Sequence, residues 1–337
     1  MKRIDSRNVA ERAGVSQSTV SKVLSGRYDS RLSEATRKKV LDAVQELNYA
    51  PNMIARALVT GKTHRLGIVT NTPQSLTNLT GYHLGILSGA LYGAVDNNYN
   101  LLLHSSQYPT WRALYDDISG GGADGVLLLG DYPESALAET LVAEGFPTVF
   151  ISHCPKGERG YAVDCDNVQG GYLAAKHLIE TGRTKIAFLS NHTTTWAEER
   201  KTGVENAVRE ANAQGKAVHL CSHLLTQGAD EAVKILSQSS SGSWGVVTAD
   251  EALGILLSEA LFAEGRGVPE EVAIVNFNST EASANARVPL TSIYQPLCEI
   301  GFVAVTLLAN LLGGEDLPPG VRRVSVRLDI RESSGGR

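Results

Sequence analysis

The chain has 337 residues, 42% of them hydrophobic and 20% charged, more than one small domain usually holds and enough to bury a sizeable core. No run of about 18 apolar residues is available to span a bilayer, and the Met1–Asp5 start carries no apolar secretory segment. Cys154, Cys165, Cys221 and Cys298 form neither a CxxC pair nor a Cys/His group at zinc spacing, so a cytoplasmic protein with no metal and no cofactor is expected.

The net charge of −5 hides an asymmetry. Residues 1–62 hold 12 Lys or Arg against 6 Asp or Glu, whereas the remainder holds 19 against 30. A basic head on an acidic body suggests that the head meets an anion such as DNA phosphate.

In chain order, Ser6 can cap a first helix through Val9, Ala10 and Ala13, which stops at Gly14. Ser16 can cap a second, Gln17 to about Leu24, with Val20, Val23 and Leu24 on one face. Ser33 can cap a third, with Val40, Leu41, Val44 and Leu47 at helical spacing. Tyr49-Ala50-Pro51 breaks the pattern. A short helix from Asn52 to about Leu58 and a linker, Thr60-Gly61-Lys62, follow.

From Leu66 onward short apolar runs recur: Leu66–Val69, Leu101–Leu103, Val126–Leu129, Val149–Ile151, Ile186–Leu189, Val246-Val247 and Ala273–Val275. Helical stretches separate most of them, such as Tyr82–Asn97, Gly170–Thr181 and Asp250–Glu264. This alternation predicts an α/β fold of parallel sheets covered by helices on both faces, in two lobes because the segment is long.

The stretch Val9–Leu24 reads as helix, glycine-containing turn and helix, a helix-turn-helix. A second helix that enters the major groove needs short polar groups outward. Gln17, Ser18, Ser21 and Lys22 supply that face, with Val20, Val23 and Leu24 inward.

This stretch, with Glu46–Asn52 and Ala55–Leu58, resembles the headpiece and hinge of the lactose-repressor (LacI/GalR) family. Asp166–Ala175, Val268–Val272 and Pro289–Pro296 resemble its core signatures. The resemblance implies a headpiece over 1–50, a hinge helix and linker over 51–63, and a two-lobed, periplasmic-binding-protein-like effector and dimerisation core over 64–337.

It further implies that Gln17, Ser18 and Lys22 read base edges, while Ser16, Thr19, Ser21 and Ser25 contact phosphate or support the helix. Asn52 and Arg56 belong to the hinge helix, and Leu58 matches a leucine wedged into the minor groove. The implied partners are a pseudo-palindromic double-stranded operator, a second copy of the chain, and a small polar effector, a saccharide by preference.

For the effector the resemblance points to Asn71 and Tyr82 on the first-lobe rim, His153, Trp196, Arg200, Asp250, Asn278 and Gln295. Trp196 can stack on a sugar or simply pack, and Asp250 can bind ligand or simply cap a helix. Three departures from the family's habits stand out: Ser152-His153 for Asp-Arg, Ala249-Asp250 for Asn-Asp, and Asn276–Ser279 for Gly-Phe-Asp-Asp, which leave the cleft open to an unusual saccharide, another polar metabolite, or no effector at all. An enzyme is not expected. His153 and Asp164 have no nucleophile elbow or metal-ligand spacing beside them, and the Gly120–Gly125 run precedes a strand instead of following one.

Overall fold

The computed structural model describes residues 4–24, 32–50, 57, 60–70, 81–106, 108–130, 136–152, 160–237 and 243–335. It divides into two compact units, residues 1–63 and 64–337.

In the first unit, α1 spans Ser6–Ala13, α2 Gln17–Leu24 and α3 Glu34–Glu46. The cap of α1 is Asp5, not Ser6. The Asp5 carboxylate accepts from the Arg7 and Asn8 amides, and the Asn8 side chain accepts from the Asp5 amide. This reciprocal pair satisfies more free helix-end groups than one serine hydroxyl can. Gly14 ends α1 at φ 66°, in the left-handed region that favours glycine. Ser16 and Ser33 cap α2 and α3 by accepting from the Thr19 and Thr36 amides.

Val9, Ala10, Ala13, Val20, Val23, Val40 and Ala43 form a small core, with Val44, Leu47 and Tyr49 packed against it. Leu41, expected on the inner face, is exposed. It stands next to Val40 in sequence, and about 100° around the helix carries it off the buried stripe.

The second unit holds two doubly wound lobes. The first lobe contains β1 (Arg65–Thr70), α4 (Gly81–Asp96), β2 (Asn100–Leu103), α5 (Trp111–Asp117), β3 (Gly125–Leu129), α6 (Ala136–Ala143), β4 (Thr148–Ile151) and β5 (Tyr161–Cys165). The second contains α7 (Asn167–Glu180), β6 (Lys185–Ser190), α8 (Thr195–Ala213), β7 (His219–Leu224), α9 (Ala229–Ser237), β8 (Trp244–Thr248), α10 (Glu251–Ala263), β9 (Val272–Phe277), α11 (Glu281–Ala284) and β10 (Thr291–Tyr294). The chain then returns to the first lobe for α12 (Leu297–Gly313) and β11 (Gly320–Val324), and ends in the second with β12 (Arg327–Asp329).

The sheet orders are β11-β5-β4-β3-β1-β2 and β12-β10-β9-β8-β6-β7. All pairings are parallel except β10 with β12. Central strands such as β3 (Gly-Val-Leu-Leu-Leu) are buried throughout, as helices on both sheet faces require. The Gly-rich run before β3 is a tight π turn, Ile118–Gly122, with Gly121 at φ 101°.

Each lobe is braced by a helix pair in glycine-mediated contact. A Cβ on Gly89 of α4 would lie 1.8 Å from the Cys298 carbonyl oxygen of α12, and one on Gly301 would lie 2.0 Å from that of Ile86. In the second lobe, Gly171 of α7 faces the Arg200 carbonyl at 1.9 Å and Gly203 of α8 faces that of Val168 at 2.0 Å. These contacts bring α8, and with it Arg200, hard against the strand-to-helix crossing that leaves β5.

Candidate functional site

Two surfaces carry chemistry. On the first unit, Ser16, Gln17, Ser18, Ser21 and Lys22 are exposed, Thr19 is half-buried, and Val20 and Val23 are buried beneath them. The Ser16 hydroxyl lies 2.7 Å from that of Ser18 and 2.8 Å from that of Thr19. Gln17 donates to the Ser6 hydroxyl at 2.7 Å, which ties the start of α2 to α1. The helix-turn-helix therefore presents a short, polar, positively charged ridge on a packed base. Ser25, Asn52, Arg56 and Leu58 lie outside the described residues, as do Asn71 and His153.

In the second unit, several strands end towards one region, and their following residues converge there: Ser152 after β4, Asp166 after β5, His192 after β6, Asp250 after β8, Asn278 after β9 and Gln295 after β10. Carboxyl ends of parallel strands are where open α/β sheets bind ligands.

Arg200 sits at the centre, 5% exposed, between the rings of Trp196 (4.5 Å) and Phe277 (4.1 Å). Its Nε donates to Asn167 Oδ1 at 2.8 Å and its Nη1 to the Ala249 carbonyl at 2.6 Å. Asp250 caps α10 by accepting from the Leu253 amide at 2.9 Å, and its Oδ2 lies 3.1 Å from His192 Nε2. Burial pushes its carboxyl up, but His192 and the Leu253 amide outweigh this and hold it below the usual carboxylate value.

The His192 ring leans on Trp196 with centroids 5.0 Å apart. Asn278, at φ 71°, accepts from Gln295, and Gln295 in turn accepts from the Cys165 thiol at 3.0 Å. Burial pushes that thiol up to about 12, so it stays protonated and unreactive. Tyr82 meets Ser152 through their hydroxyls, and burial raises its phenol above the ordinary value.

The structure thus brings Tyr82, Trp196, Arg200, Asp250, Asn278 and Gln295 to one region. Trp196 both packs on the second-lobe core and carries the guanidinium on one face, and Asp250 both caps α10 and faces His192. Sequence reasoning missed His192, Thr194, Asn167, Glu199 and Arg323. The Thr194 hydroxyl oxygen is buried there with no hydrogen-bond partner among the described residues. The signal for His192 and Thr194 was their place in a polar loop between an apolar run and Arg200.

A polar-faced helix-turn-helix attached to a two-lobed periplasmic-binding-protein-like body defines a class: DNA-binding transcription regulators. Residues 7–52 match the family described as bacterial regulatory proteins, lacI family, and residues 175–334 match a periplasmic binding protein-like domain. The HTH-type transcriptional regulator CelR of Thermobifida fusca is 30% identical over 331 residues, 96% of each chain. The chain belongs to the LacI family and is a DNA-binding transcription regulator.

Among solved structures, a transcriptional regulator CelR–cellobiose complex matches with a TM-score of 0.70 and 29% identity, covering 98% of this chain and 100% of that one. The lac repressor dimer bound to operator and an anti-inducer matches with a TM-score of 0.79 over 99% of each chain; at 21% identity this likeness concerns the fold. Among the described residues no helix is long and apolar enough to cross a membrane.

Proposed function

We propose that the chain is a repressor whose operator affinity is set by a small, neutral, polyhydroxylated ligand, a mono- or oligosaccharide, in the cleft of residues 64–337. The observation that carries this reading is the preset donor at the centre of the cleft. Asn167 and the Ala249 carbonyl fix Nε and Nη1 of Arg200, so the guanidinium is held in one orientation before a ligand arrives. Around it stand the Asp250 carboxylate, the Thr194 hydroxyl, which has no partner among the described residues, and the Asn278 amide, a mixture of donors and acceptors suited to hydroxyls. The solved relative that holds cellobiose supports the same class.

On this reading Gln17, Ser18 and Lys22 read bases, and Ser16, Thr19, Ser21 and Ser25 address phosphate. Residues 1–50 form the headpiece. Residues 51–63 carry Asn52, Arg56 and the Leu58 wedge to a pseudo-palindromic operator. The effector set is Asn71, Tyr82, His153, Trp196, Arg200, Asp250, Asn278 and Gln295.

The chain acts as a homodimer. Leu84, Leu91, Tyr92 and Val95 form an exposed apolar stripe along one face of α4, and Leu256 and Phe262 are exposed on α10. Stripes of this kind on a water-soluble surface mark a protein interface.

A thermal-shift screen of sugars, sugar acids, purines and phosphosugars tests the ligand class. A ligand at about 100 times its Kd stabilises by roughly 2.7 kcal/mol. A sugar is expected to raise Tm, and Arg200→Ala is expected to abolish the rise. Stabilisation by purines or phosphosugars alone overturns the saccharide reading.

A further inference from the structure

Behind Arg200 lies a second charged centre that no ligand-binding role requires. Arg323, near the end of β11 in the first lobe, reaches Glu199 on α8 of the second lobe with Nη2 2.5 Å from Oε1. Its Nη1 lies 3.4 Å from Asp164 Oδ2 and donates to the Cys165 carbonyl at 3.1 Å. Asn167, the first residue of α7, joins the same centre. Its Nδ2 donates to Asp164 Oδ2 at 2.8 Å and to Glu199 Oε2 at 3.2 Å, while its Oδ1 accepts from Arg200 Nε at 2.8 Å.

We propose that Arg323, Glu199, Asp164 and Asn167 form an interlobe latch that fixes the angle between the lobes and transmits the state of Arg200 to it. Three features support this. The Arg323–Glu199 pair joins two lobes, so it changes when they rotate, whereas an ion pair within one lobe does not. It stands beside the crossings: β5 to α7 supplies Asp164, Cys165 and Asn167, and β11 to β12 begins just after Arg323. Gln295, on the remaining crossing, accepts from Cys165.

An exposed ion pair contributes little, but Asp164 is 6% exposed. Withdrawing Arg323 strands a buried carboxylate, which costs more than the pair itself gains. Asn167 uses both ends of its amide, one towards Arg200 and one towards the carboxylates. A ligand that pulls the guanidinium therefore acts on the latch through a single side chain. Arg323 and Glu199 are positioning residues and touch no ligand themselves.

The consequence for the effector rests on the cleft reading; the latch itself is tested without a ligand. Hydrogen exchange read by mass spectrometry on the full chain compares the parent with Arg323→Met, Glu199→Gln and Arg323→Lys. Arg323→Met and Glu199→Gln are expected to speed exchange about tenfold at residues 165–170 and 297–300 while leaving β3 and β8 unchanged. Arg323→Lys, which keeps the charge, is expected to restore most of the protection. Unchanged exchange at the crossings overturns the latch, and so does an equal rise in the strand interiors or a Lys variant no better than Met. Cellobiose titrated into the same proteins forms a separate arm. No binding there counts against the saccharide reading and leaves the exchange result to stand by itself.

Discussion

Arg200 shows how its surroundings can fix a single residue, which on the proposed reading presets it for recognition. Two aromatic faces and two fixed acceptors hold its guanidinium before any ligand arrives, so little rotamer freedom remains to be lost on binding. Lysine cannot reproduce this, because its ammonium lacks the planar fork. Arg200→Lys is expected to weaken binding of the sugar that stabilises the parent by about 1.5–3 kcal/mol, the usual scale for a charged hydrogen bond. Titration calorimetry checks this, and an unchanged Kd refutes the role.

On the headpiece, Gln17 is exposed, and its bond to the Ser6 hydroxyl lies at the surface where water or a base edge can replace it. Gln17→Ala or Lys22→Ala should shift base preference by roughly 1–3 kcal/mol per lost contact, whereas Ser6→Ala should leave it alone. Selection of operators from a random pool measures both. Arg200, Trp196 and Asp250 were legible in the sequence because a resemblance carried them. His192, Thr194 and Glu199 were not, because each depends on where α8 lies against β6 and β11. No local pattern encodes that placement.

At the scale of elements, α1 to α4, α7, α10 and the strands β1 to β4, β6, β8 and β9 were legible from apolar spacing, and α5, α6, α8, α9, α11, α12, β5, β7, β10, β11 and β12 were not. β7 and β11 are edge strands with polar, half-exposed sequences such as Gly-Val-Arg-Arg-Val, which lack the continuous apolar run of a buried strand. β5 is interrupted by Asp164, the latch carboxylate. A signal that was present and unused is the four-residue glycine spacing of α4: Gly85, Gly89 and Gly93. A Cβ on Gly85 would lie 2.8 Å from Leu297 Cβ, and one on Gly93 would lie 3.0 Å from the Phe302 carbonyl oxygen, so the stripe is the seat of α12.

The matching seat in the second lobe gives a sharp test. Gly171→Ala forces α7 and α8 apart at the Arg200 backbone and is expected to cost at least the roughly 1–3 kcal/mol of an overpacked core, with loss of the sugar-induced Tm rise. Gly120→Ala meets nothing within 4 Å and should be neutral. Equal melting of the two variants excludes the close-contact account. The opposite, exposed face of α4 is tested by Val95→Glu, which should turn a sedimenting dimer into a monomer while the far-ultraviolet circular dichroism stays the same.

For the whole molecule, titration separates the two units. Burial lowers His83, His104 and His177 below the ordinary histidine value of 6.5, and all three lie in the unit of residues 64–337. Between 6.5 and their folded values the unfolded chain binds more protons than the folded one, so stability rises with pH across that window. The stability they allow is complete above 6.5 and is lost as pH falls towards the folded values. Asp164 acts in the opposite sense, since burial raises its carboxyl despite Arg200 and Arg323, and it favours the folded state as acid is added. His104 belongs to the first lobe and His177 to the second, so both lobes weaken together on acidification.

Residues 1–63 contain no histidine, and the headpiece is indifferent to this window. Urea midpoints of the full chain are therefore expected to fall between pH 7.5 and 5.5 for the core transition alone. The double variant His104→Gln/His177→Gln should flatten that fall. A midpoint that stays level or rises on acidification of the parent would show that the buried histidines are not what the core titrates.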